Sequence, residues 1–158
     1  MRTELLVYKT LFDGEEESEV PEELIPALER IRKDEGTIQD YLDIADRYRE
    51  IGRPEKEFAV LELALDLGYD DLVFYRLARN HSEQGQYAEA YQYIKRMHFM
   101  QGMAKLLYLK TLGELGKTEK LNQFWQINRN DSELKQMIKQ EGLDYFPKNV
   151  RKLLKEEV

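Results

Sequence analysis

Cysteine is absent from all 158 positions, which excludes disulfide scaffolds, thiolate zinc sites and cysteine nucleophiles. Proline and glycine are sparse, at 4 and 9, too few for a loop-rich or disordered chain. The only histidines are His81 and His98. They are too far apart to form the i, i+4 pair of a helical metal site, and no Asp-rich calcium-loop spacing occurs. No cofactor is therefore expected. No stretch of ~18 apolar residues exists to span a membrane. The start, Met1 to Lys9, lacks the apolar region of a secretion signal, so a cytoplasmic location is expected. The sequons at Asn80 and Asn130 then read as chance. No sustained period-two alternation marks a strand.

What is present is charge and helical periodicity. Hydrophobic residues make up 42% and charged residues 35%, with a formal net charge of −7. That suits one domain of ordinary size built from helices with solvated charged faces. The acidic balance disfavours nucleic acid as a partner, because phosphate binding needs a basic footprint.

A repeat with an offset of 33 residues runs through the middle of the chain. Ala45 pairs with Ala78, Gly52 with Gly85, Phe58 with Tyr91 and Leu61 with Ile94. Leu109, Leu112, Gly116, Leu121 and Trp125 form a weaker third copy, offset by 31. Each copy splits into two helical patterns. Ile38, Tyr41, Leu42, Ala45 and Tyr48 share one helical face, and Phe58, Leu61, Ala64 and Leu65 share another. Between them Gly52 is expected to end the first helix in the left-handed conformation, with Pro54 opening the second. Gly85 and Gly116 are expected to do the same.

The flanks are less regular. Residues 3–12 carry an apolar helical pattern, and 13–19 form an acidic loop. A helix is expected to open at Pro21, turn Leu24, Ile25, Leu28 and Ile31 inward, and close near Gly36. Residues 131–141 and 147–156 read as two more helices. The last has Val150, Leu153 and Leu154 on one side and Arg151, Lys152, Lys155 and Glu156 on the other, as a solenoid cap requires. The organisation expected is a degenerate hairpin over 1–36, repeats over 38–70, 71–102 and 103–130, and capping helices over 131–158.

These residues resemble the tetratricopeptide repeat, a family of paired antiparallel helices with a 34-residue period. Counting from Ile38 and Asp71, Ala45 and Ala78 match the family's small residue at the eighth position, and Tyr48 its aromatic at the eleventh, where the second copy has His81. Ala90 matches the small residue at the twentieth, where the first copy has Glu57. The proline that usually closes each unit is missing. The resemblance covers residues 38–128. It implies an all-α, right-handed superhelix of antiparallel helix hairpins acting as a protein-binding module and not as an enzyme.

The resemblance also implies that the first helix of each pair lines a groove. In the first copy this brings in Asp43, Asp46 and Arg49, in the second Tyr75, Arg76 and Arg79, and in the third Met103, Leu106 and Lys110. Arg76, Arg79 and Lys110 would take a peptide's carboxylates, and Met103, Leu106 and Leu107 an apolar side chain. The family's clamp for a chaperone tail is not matched, because Asp43, Asp46 and Arg79 stand where it needs lysine and asparagine. The alternatives are a self-associating scaffold, forming a homodimer through exposed aromatics, and an RNA-binding helical repeat. Catalysis fares worst. Gly113 to Thr118 resembles the end of a phosphate-binding loop but lacks the glycine required at Thr111 and a preceding strand.

Overall fold

The computed structural model describes residues 21–156, so the patterns expected over 3–12 and 13–19 lie outside the described residues. Among the described residues every regular element is helical and no strand forms. None of these helices is long and apolar enough to cross a membrane. The α-helices are α1 (Ile25–Arg32), α2 (Ile38–Glu50), α3 (Pro54–Ala64), α4 (Asp71–Glu83), α5 (Tyr87–Ile94), α6 (Met103–Glu114), α7 (Thr118–Asn128), α8 (Ser132–Glu141) and α9 (Lys148–Lys155). The chain divides into two compact units, residues 1–80 and 81–158.

The helix stops are set by the same local chemistry three times. Gly52, Gly85 and Gly116 all take positive φ, between 66° and 75°. In each case the residue after the glycine sends its N–H back five positions: Arg53 to Tyr48 O at 2.8 Å, Gln86 to His81 O at 2.9 Å, and Lys117 to Leu112 O at 2.9 Å. This is the six-to-one bond of a Schellman closure, which satisfies a helix-end carbonyl and needs a left-handed residue. Those same three residues then serve as N-caps of α3, α5 and α7 with nearly identical ψ values of 69°, 69° and 67°.

In the first unit α1 packs on α2 and α2 on α3. The expected inward face of α2 holds, with Tyr41, Leu42, Ala45 and Tyr48 buried together with Ile44. A capping box starts this helix, Thr37 accepting from the Asp40 N–H while Asp40 accepts from the Thr37 N–H. Asp40 also receives two bonds from Arg30, at 3.0 and 2.6 Å. The Arg30 guanidinium, followed by the Thr37 N–H, holds the Asp40 carboxyl below its ordinary range against the opposing effect of burial. The expected helix from Pro21 needs correction. Its first turn, Glu22–Leu24, is a 3-10 turn, α1 ends at Arg32, and Ile25 is 46% exposed instead of inward. A 3-10 turn advances three residues per turn and not 3.6, so the apolar phase counted from Pro21 is lost before α1 begins.

The second unit is arranged around α6, which packs against α5, α7, α8 and α9. That explains why α6 is apolar nearly all round: Ala104, Leu106, Leu107, Leu109 and Leu112 are all buried. Of these, Leu106, Leu109 and Leu112 form a single cluster with Tyr91, Leu121, Trp125, Leu134, Phe146, Val150 and Leu154, from α5, α7, α8, α9 and the segment before α9. The helices expected over 131–141 and 147–156 are present, with Asp131 capping α8 through the Leu134 N–H.

Gly113 is where α9 comes closest to α6. A Cβ there would stand 2.2 Å from Val150 Cγ2 and 2.7 Å from Pro147 Cγ. The Asn149 side chain donates to Gly113 O at 3.0 Å. Helix propensity alone favours Gly113→Ala by about 1 kcal/mol, whereas overpacking costs about 1–3 kcal/mol. With a clash this short, a lower urea midpoint is expected, and a raised midpoint would show that α9 does not seat on α6.

Candidate functional site

The first unit places its expected groove residues on neighbouring helices but ties most of them to one another. Arg76 of α4 pairs with Asp46 of α2 at 2.5 Å and donates to Leu42 O at 3.3 Å. Arg79 lies over the Tyr75 ring, 5.7 Å from its centroid, with a nitrogen 3.7 Å from Glu57 Oε2. Asp43 accepts from Gln39 at 2.7 Å, and Arg49 is exposed on the last turn of α2. The two arginines therefore bind carboxylates of their own unit. Replacing them perturbs internal ion pairs before it perturbs any ligand.

Glu57 is the residue that the repeat pattern leaves unexplained. It is 1% exposed and accepts from the Asn80 amide at 2.6 Å. Asn80 also donates to Pro54 O at 2.9 Å. A buried carboxylate thus stands where the family pattern has a small residue, its Oε1 bonded to a carboxamide and its Oε2 facing a guanidinium beyond hydrogen-bond range. Asn80 itself, buried and committed, is not presented as a glycan acceptor.

In the second unit the expectation for Leu106 is overturned. It is 1% exposed and belongs to the core, because α8 and α9 pack over the α6 face that was to be open. Met103 remains exposed, at 43%. Lys110 is half-buried, with its ammonium 4.2 Å from the centroid of the Tyr145 ring. His81 stacks on Tyr93 at 5.5 Å, with a ring nitrogen 2.7 Å from the Gln86 carboxamide oxygen.

The open surface of this unit lies along α9. A depression of about 900 Å³ is lined by Gly113 and Glu114 of α6, then Pro147, Lys148, Asn149, Arg151, Lys152 and Lys155. Val150 and Leu154 turn into the core and leave the cations outward, because apolar and basic residues alternate on a helical period. Arg151 stands 3.8 Å from Asp144. Among the described residues, Lys148, Lys152 and Lys155 have no carboxylate within ion-pair reach. A second depression, about 520 Å³, is apolar, walled by Trp125, Ile138, Leu143 and Leu154 with Lys135 and Lys139 beside them.

Charge is strongly segregated along the chain. Residues 1–80 carry 11 lysines and arginines against 21 acids, a net of −10, and residues 81–158 carry 13 against 10, a net of +3, together the −7 of the whole. The whole-chain charge therefore concealed a basic C-terminal unit. The α9 cations were legible as the outer face of a cap, but the depression they line depends on how α9 docks against Gly113.

Compared with family models, with curated proteins and with solved structures, the chain matches none.

Proposed function

We propose that the chain is a tetratricopeptide-like repeat of helix hairpins that acts by binding a protein partner, not by catalysis, and that its basic α9 depression takes an acidic segment of that partner. The threefold recurrence of the glycine closure supports the repeat. The observation that carries the binding reading is the depression itself, with three lysines that have no carboxylate partner among the described residues. Cations held on a rigid helix bind carboxylates by charge-assisted hydrogen bonds and speed encounter with an acidic surface. Nucleic acid needs an extended basic footprint, which a chain of net −7 lacks, whereas a short acidic segment needs only the local cations of α9.

The test is binding of a labelled Asp/Glu-rich peptide to the full chain and to a Lys148→Glu/Lys152→Glu/Lys155→Glu variant. Affinity is expected to fall about tenfold or more in the variant and to weaken with salt in the parent. Equal binding by both proteins contradicts the assignment, as does tighter binding of single-stranded RNA than of peptide. The same segregation makes a second copy of this chain an acidic partner in its own right. A salt-sensitive rise in mass with concentration, read by light scattering, would identify that copy as the occupant.

A further inference from the structure

A second group of cations in the C-terminal unit gathers around one buried ring. Tyr91 of α5 is buried, and its hydroxyl accepts a hydrogen bond from Lys120 Nζ at 2.8 Å. Lys95 and Lys117 each place an ammonium 4.9 Å from the ring centroid, and Lys120 places its own at 5.5 Å. The three nitrogens thus lie within about one Debye length of one another, ~10 Å at 0.1 M salt, and repel. Lys95 caps the end of α5, while Lys117 and Lys120 belong to the N-cap and first turn of α7.

Nothing among the described residues neutralises this charge. None of the three lysines has a carboxylate in ion-pair reach. Glu119, in the same turn, meets the Gln123 amide at 3.4 Å. The Tyr91 hydroxyl accepts from Lys120, and its own proton has no acceptor among the described residues. No side chain caps the start of α7; the Thr118 N–H is taken by Gly116 O at 2.9 Å, which leaves those of Glu119 and Lys120 without helical partners. The Lys120–Tyr91 bond holds the Lys120 ammonium above its ordinary pKa, so the cation persists in this position. Three ammonium groups and a hydroxyl proton around one ring are donors of the kind that suit an oxyanion.

We propose that Tyr91, Lys95, Lys117 and Lys120 form a binding site for a phosphate group. Three ammonium groups and a hydroxyl match the near-double charge and the oxygens of a phosphate better than the single charge of a carboxylate. The group comes either from inorganic phosphate or from a small phosphomonoester. This site uses none of the α9 cations and stands independently of the function proposed above.

Calorimetric titration of the full chain with inorganic phosphate and, separately, with glycerol phosphate tests it, at ionic strength held constant with chloride. Saturable binding of one equivalent is expected for at least one of the two, and the tighter of them identifies the source. Affinity is expected to fall about tenfold or more in Lys117→Gln/Lys120→Gln, and measurably in Lys95→Gln. It should survive in Lys117→Arg/Lys120→Arg and in Lys148→Gln/Lys152→Gln. Circular dichroism confirms that each variant is folded, and Lys95→Gln decides the matter if the double glutamine variant is not. Failure of both ligands to saturate overturns the proposal, as does unchanged affinity in the folded glutamine variants.

Discussion

Leu106→Ala is expected to lower the stability of the protein by about 2–5 kcal/mol, the range for truncating a fully buried leucine. Leu106 is enclosed in the cluster that holds Trp125, Leu134 and Val150, and α6 is surrounded by four helices with no room to collapse around a cavity. Chemical denaturation with an unchanged m-value would report this directly. The alternative is informative. A leucine lining an open groove would cost little stability when truncated and would instead weaken partner binding. A loss below about 1 kcal/mol, typical of exposed positions, would return Leu106 to the groove and remove α8 and α9 from their place over α6.

The second large effect is expected from Glu57→Ala, at about 3–5 kcal/mol. Breaking a buried charge pair by removing one partner strands the other. Here the loss removes the carboxylate beside Arg79 and an acceptor from Asn80, whose bond to Pro54 O remains. Glu57→Gln should cost less than the alanine, because its carboxamide oxygen still accepts from Asn80 and only the charge facing Arg79 disappears. The order alanine worse than glutamine, measured by denaturation, tests the geometry. If Glu57→Ala lies within about 1 kcal/mol of the parent, as a surface pair would, the buried network is not formed.

The helices and their stops were legible because their determinants are local. Thr37 and Asp40 build a cap from four consecutive residues, and Gly52, Gly85 and Gly116 supply the left-handed conformation that other residues resist. The failures have causes that helical spacing does not carry. Ile25 was misplaced because a 3-10 turn shifted the phase ahead of α1. Leu106 was misplaced because the position rule for a groove assumes an open helix face, and no periodicity in α6 announces that α9 will seat on Gly113. Glu57 was visible as a misfit to the repeat, but its partner Asn80 lies on another helix and looked like a sequon. Lys95 follows Tyr91 by four positions and Lys120 follows Lys117 by three, but no spacing in the sequence joins the two pairs. They converge only because the end of α5 and the start of α7 both face Tyr91.

The central claim is that partner recognition uses the basic face of α9 and not the inner faces of α2 and α4. Amide chemical-shift mapping of the full chain during titration with an acidic peptide addresses it most directly. The account predicts saturable shifts centred on Lys148, Asn149, Arg151, Lys152 and Lys155, with Gly113 and Glu114 responding and Asp46 and Arg76 silent. Shifts concentrated at Asp43, Asp46, Tyr75 and Arg76, with α9 unmoved, would contradict it.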